Sequence, residues 1–108
     1  MKSHTVICVF LLLIATGGQS VVPEDGYVPD SATAVKIAEA VLIPVYGKEK
    51  VESERPFKAE LENGVWTVNG TVHCPDGKGG DSPFCFGGAA QVKLSKADGR
   101  ILEMIHYA

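Results

Sequence analysis

Phe57-Lys58-Ala59-Glu60-Leu61-Glu62-Asn63-Gly64-Val65-Trp66-Thr67-Val68-Asn69 is the stretch on which the fold turns. Before Asn63, apolar Phe57, Ala59 and Leu61 alternate with Lys58, Glu60 and Glu62. After Gly64, Trp66 and Val68 alternate with Thr67 and Asn69. A period of two marks a half-buried strand, because successive side chains of extended backbone point to opposite faces. Asn-Gly between two such runs is a strong hairpin signal, since both residues tolerate the positive φ of a two-residue type I′ turn. The stretch reads as an antiparallel hairpin with one apolar and one polar face.

Downstream the alternation continues, with Val72 and Cys74 set against Thr71 and His73. This extends the second strand to Cys74, with Gly70 as a bulge or bend. The stretch from Cys74 to Gly88, rich in Gly, Asp and Pro, reads as a loop. Ala90, Val92 and Leu94 give a third strand over residues 89–95, and Asp98-Gly99 a second tight turn. Residues 101–107 form the last strand. Its inner face is ambiguous, because apolar residues fill both parities: Leu102 and Met104 against Ile101 and Ile105. No helical segment separates the strands, which excludes parallel crossovers.

Upstream the period is that of a helix. Ala34, Ile37, Ala38, Val41, Leu42 and Val45 recur at spacings of three and four. Asp30 is placed to cap the first turn. Pro44 cannot donate to the carbonyl of Ala40, so the helix stops near Ile43 or continues kinked to Tyr46, and Gly47 ends it. Residues 21–29 carry no periodicity and read as a linker or loosely docked arm. The expected fold class is α+β: one N-terminal helix packed on a strongly twisted four-stranded antiparallel sheet. The inner face holds Phe57, Ala59, Leu61, Trp66, Val68, Val72, Val92 and Leu94. The outer face holds Lys58, Glu60, Thr67, Asn69, Thr71, His73, Gln91 and Lys93.

Ahead of this domain, Val6 to Ala15 is an unbroken apolar run preceded by Lys2 and His4 and followed by small residues. That is the pattern of a secretory signal peptide, here residues 1–20, and it is too short for a membrane span. Its removal would leave 88 residues with 9 basic and 13 acidic side chains, a net charge of −4. A mildly acidic chain, with pI near 5.5 and a mean hydropathy of +0.11, is neither a nucleic-acid binder by charge nor disordered by composition. Export carries Cys74 and Cys85 into an oxidising compartment, where an even number of cysteines reads as a disulfide. A small core gains from such a staple.

Asp76, Asp81, His73 and His106 are the residues that acid–base or metal chemistry would use. Asp76-Gly77-Lys78-Gly79-Gly80-Asp81 lacks the alternating acidic residues and the closing Glu of an EF-hand. A solvated loop and two surface histidines account for the four. No triad is visible, and Gly79-Gly80 and Gly87-Gly88 are not followed by the Lys-Ser/Thr of a phosphate loop. One helix is too few to wall off a deep catalytic cone. The expectation is no catalysis, no metal and no cofactor.

Several stretches together resemble a known family. They are Gly26-Tyr27-Val28-Pro29-Asp30, the helix Ala34 to Ala40, Ile43-Pro44-Val45-Tyr46-Gly47, Arg55 to Leu61, Val65 to Thr71, and Asp98-Gly99-Arg100-Ile101-Leu102. The set is similar to small bacterial immunity proteins with a nuclear-transport-factor-two (NTF2) fold, the YbbC/YhhH group, and spans residues 26–107. The resemblance implies a single NTF2-fold domain over residues 30–108, a cystatin-like cone, that binds and blocks a cognate toxin. Cys74, Cys85 and the longer insert between them depart from the family pattern. A weaker likeness of Ser95 to Ile101 to PepSY-type domains offers an alternative, a periplasmic inhibitor or modulator of a hydrolase such as a lysozyme or peptidase.

The combined expectation is a periplasmic immunity protein whose partner is a toxin protein, basic by complementarity to the acidic chain. No nucleic acid and no lasting membrane insertion are expected. Asp76, Asp81 and Phe84 on the loop, with Lys58 and His73 on the open sheet face, are the expected contact residues. A loop closed at both ends loses less entropy when it binds, and Phe84 supplies an apolar anchor.

Overall fold

The computed structural model of the protein describes residues 18–74 and 88–107. Helix α1 runs Ser31–Tyr46 and is followed at once by a short helix, α2, Lys48–Ser53. Strands β1 (Lys58–Glu62), β2 (Val65–Asn69), β3 (Ala90–Ser95) and β4 (Ile101–His106) form one antiparallel sheet in the order β1-β2-β3-β4. This is the α+β architecture expected, with a second helix added.

The helix begins and ends as its residues dictate. Asp30 Oδ1 accepts from the Thr33 N–H at 2.8 Å, and this hydrogen bond holds its carboxyl below the usual range. Pro44 is accommodated inside the helix, which reaches Tyr46. Gly47, at φ 90°, stops it and donates its N–H to Ile43 O at 2.8 Å. The buried residues Ala34, Ala38 and Leu42 set α1 onto Trp66, Val68, Val92 and Leu94 in a single core.

The Asn63-Gly64 turn takes positive φ at both residues, 51° and 75°, as a type I′ hairpin requires. It pairs Glu62 with Val65 and Leu61 with Trp66. The register continues across β3 and β4, where Val92 pairs with Met104, and slips by a β-bulge between Lys93 and Leu94. That slip accounts for the ambiguous parity of β4: Met104 packs against the core, whereas Ile101 and Leu102 are exposed.

Three expectations are corrected. Strand β2 ends at Asn69, so Gly70 is an exit from the sheet and not a bulge within a long strand. A Cβ at Gly70 would lie 2.9 Å from Phe57 Cε2 and 3.1 Å from Glu54 Cβ, so any side chain there would have to displace those of Phe57 and Glu54. Val72, expected inside, is 37% exposed, because the strand that would have turned it inward has ended. Leu61, also expected inside, is 45% exposed, because β1 is an edge strand and nothing among the described residues lies beyond it.

The arm is held at its C-terminal end. Tyr27 and Val28 donate backbone hydrogen bonds to Ala97 O and Lys96 O, both 3.0 Å. Val28 is fully buried, and its carbonyl accepts from Trp66 Nε1 at 2.8 Å. Gly26 sits at φ 85° against the Lys96 carbonyl, a place only glycine fits. Of the expected signal peptide, residues 1–20, residues 1–17 lie outside the described residues.

Candidate functional site

Pairing alternates the side chains of the sheet, and α1 covers one face only. The other face is built in rows by the register. Lys58, Asn69, Gln91 and Ile105 make one row; Glu60, Thr67, Lys93 and Glu103 the next; Glu62, Val65 and Ser95 the third. None of these residues is buried, so no described element covers the face. Gln91 ties the first row together: its Nε2 donates to Asn69 Oδ1 at 2.9 Å, and its Oε1 accepts from the Tyr107 hydroxyl at 3.4 Å. With three carboxylates and two ammonium groups among these rows, the surface is mixed in sign and slightly acidic.

Of the residues expected on this face, Lys58, Glu60, Thr67, Asn69, Gln91 and Lys93 lie there. Thr71 and His73 do not. The Thr71 hydroxyl donates to Pro56 O at 2.6 Å, and His73 Nε2 lies 2.6 Å from Arg55 O. Both fasten the segment after β2 onto the segment before β1. Asp76, Asp81, Phe84 and Cys85 lie outside the described residues, while Cys74 closes the first described segment.

A second constellation lies where α2 meets the sheet, and only one of its members, His106, was a candidate in the sequence. Glu54 is buried, with 6% of its surface exposed. Its Oε1 accepts from the Ala90 N–H at 2.7 Å, and its Oε2 lies 2.7 Å from His106 Nε2. Lys50 Nζ approaches the same oxygen at 3.6 Å. Burial alone would push this carboxyl up. The Ala90 hydrogen bond, the His106 hydrogen bond and charge, and the Lys50 charge outweigh it, and the carboxyl sits below its ordinary value. His106 is thus not a surface histidine: its ring packs on Tyr46 with centroids 5.2 Å apart, and its side chain is 20% exposed.

The next residue, Arg55, grips Glu39 of α1 through Nε (3.1 and 3.2 Å) and Nη2 (2.6 Å). This two-pronged pair ties the segment that enters β1 to α1; the Arg55–Pro56 bond that follows is cis. The cluster reads as structural: each carboxylate oxygen is already engaged, and its partners are the backbone and side chains that join α1, α2, β3 and β4. The signal that could have found it is the Lys48/Glu52 and Lys50/Glu54 spacing of four, which is helical.

Comparison with known proteins adds a family. The sequence model of the family described as NTF2 fold immunity protein matches residues 33–108. A protein of Escherichia coli (strain K12), named uncharacterized protein YhhH, is 32% identical over 79 residues, covering 73% of this chain. Those residues make up 56% of the relative, so the chain spans little more than half the length of the curated protein it matches. No solved structure matches.

Proposed function

Because the chain belongs to the NTF2 fold immunity protein family, we propose that it is an exported, non-catalytic immunity protein that neutralises a cognate toxin by binding it. The observation that carries this reading is the uncovered outer face of the sheet, ordered in three rows. Such a face offers a rigid, mixed-sign surface, suited to selecting one partner by charge and hydrogen bonding. Its slight acidity, and the acidic balance of the chain, favour a basic toxin. Strand β2 ends, and β3 begins, at the end of the sheet that bears Asn69 and Gln91, and we extend the same proposal to Asp76, Asp81 and Phe84, which lie between the two strands in sequence.

The test is competition between cells. A strain lacking the gene should be outgrown in co-culture by its parent, and the full chain supplied on a plasmid should restore it. Thr67→Arg sets a second cation opposite Lys93 in the middle row. It should weaken toxin binding by about 1–2 kcal/mol and reduce protection at an unchanged protein level. Equal survival of the deletion strain, with the toxin expressed by its neighbours, would overturn the reading.

Export and the Cys74–Cys85 bond belong to the same proposal and share one measurement. The intact mass of protein recovered from the periplasm should correspond to a chain that starts at Val21 and is two hydrogen atoms lighter than its dithiol. A chain that retains Met1 in the membrane fraction would make residues 6–15 an anchor, and two titratable thiols in the oxidised protein would exclude the bond.

A further inference from the structure

Strand β1 pairs with β2 on one side, and nothing among the described residues pairs with its other side. The parity of the ladder tells which backbone groups this leaves open. Gly70 N–H donates to Ala90 O at 2.9 Å, so the even-numbered residues of the β2 segment bond toward β3. Val65, Thr67 and Asn69 then bond toward β1, to Glu62, Glu60 and Lys58. The N–H and C=O groups of Ala59 and Leu61 point outward from the sheet. Beside Ala59, between α1 and β1, lies a groove of about 540 Å³ lined by Ser31, Ala32, Val35, Lys36, Phe57 and Lys58. Leu61, on the same face, is 45% exposed.

We propose that this edge binds a second copy of the chain, the two β1 strands pairing antiparallel about a two-fold axis at Glu60 and joining two four-stranded sheets into one of eight. The sequence Lys58-Ala59-Glu60-Leu61-Glu62 is complementary to itself in this register. Ala59 meets Leu61 of the second copy as a hydrogen-bonded pair, twice, so every outward N–H and C=O of both residues is used. Leu61 of each copy falls opposite Ala59 of the other, on the side where the groove lies open. On the outer face, Lys58 meets Glu62 of the second copy, again twice. Only Glu60 meets its like, and it has Lys58 of the other copy on the diagonal. Registers displaced by one step in either direction leave either Leu61 or Ala59 without a β1 partner. The self-complementary charge pattern, with Leu61 of each copy set beside the groove of the other, thus selects a second copy over an arbitrary extended peptide.

Sedimentation equilibrium of the purified protein tests this. Dimer is expected at roughly 100 μM. Lys58→Glu sets Glu against Glu62 in both pairs and should weaken the dimer about tenfold or more. Glu62→Lys should do the same by opposing two lysines, and Lys58→Glu combined with Glu62→Lys should restore the wild-type constant. Both side chains are exposed, so circular dichroism should show the fold unchanged; should one single variant fail to fold, the other carries the same comparison. A wild-type protein that stays monomeric, with its edge left to another partner, or a dimer indifferent to both single charge reversals, would overturn the proposal.

Discussion

Glu54→Ala is expected to destabilise the protein by about 3 kcal/mol in urea or guanidinium unfolding. The alanine leaves the Ala90 N–H, at the buried start of β3, without its acceptor and takes from His106 the carboxylate that faces it at 2.7 Å. Both losses fall where α2, β3 and β4 meet, so relaxation of one cannot compensate the other. Glu54→Gln keeps an acceptor for Ala90 but removes the charge, and should cost roughly half as much. The acid limb of stability should change in step. The Glu54 carboxyl lies below its ordinary value of 4.5 in the folded chain. Its contribution is therefore present above pH 4.5 and lost as pH falls through the lowered value. Glu54→Gln should flatten that limb relative to the wild type. A loss under about 1 kcal/mol for Glu54→Ala would show the cluster to be peripheral to the fold.

Trp66→Ala is expected to cost about 4 kcal/mol, the scale of removing a buried aromatic side chain. Trp66 is 7% exposed and packs in the core with α1. Its indole also supplies the donor to Val28 O. The two roles can be separated. Trp66→Phe keeps most of the apolar body and loses that hydrogen bond, so it should cost only about 1–2 kcal/mol. It should also speed proteolytic cleavage near Tyr27 more than cleavage elsewhere. Uniform acceleration along the chain would mean that the indole N–H does not hold the arm.

Much of this fold was legible because its elements are long enough to show their periods. The stripe from Ala34 to Val45, the Asn63-Gly64 turn and the alternation around Trp66 each assign one element without reference to the others. The misreadings have physical causes. Helix α2 has six residues and a single buried side chain, Val51, too few to show a period of 3.6. Leu61 and Val72 follow the inward parity but lie where cover or strand has run out, which parity cannot register. The outer-face rows were largely legible because parity and the two turns fix them together. Thr71 and His73 were lost from them because Gly70 releases the chain one residue after β2 ends. Glu54 was invisible because its partners, Ala90 and His106, are 36 and 52 residues away.

The hydrogen bond from Trp66 to Val28 gives the molecule a built-in optical gauge. Trp66 is the only tryptophan in the chain, and its indole lies between the hydrophobic core and the docked arm. Its emission therefore reports on that junction alone, with no second indole to average against it. Release of the arm would hydrate the ring edge and red-shift the spectrum while the sheet stayed intact. Partial detachment and full unfolding would thus appear as two separable spectral events in the native protein, with no label attached.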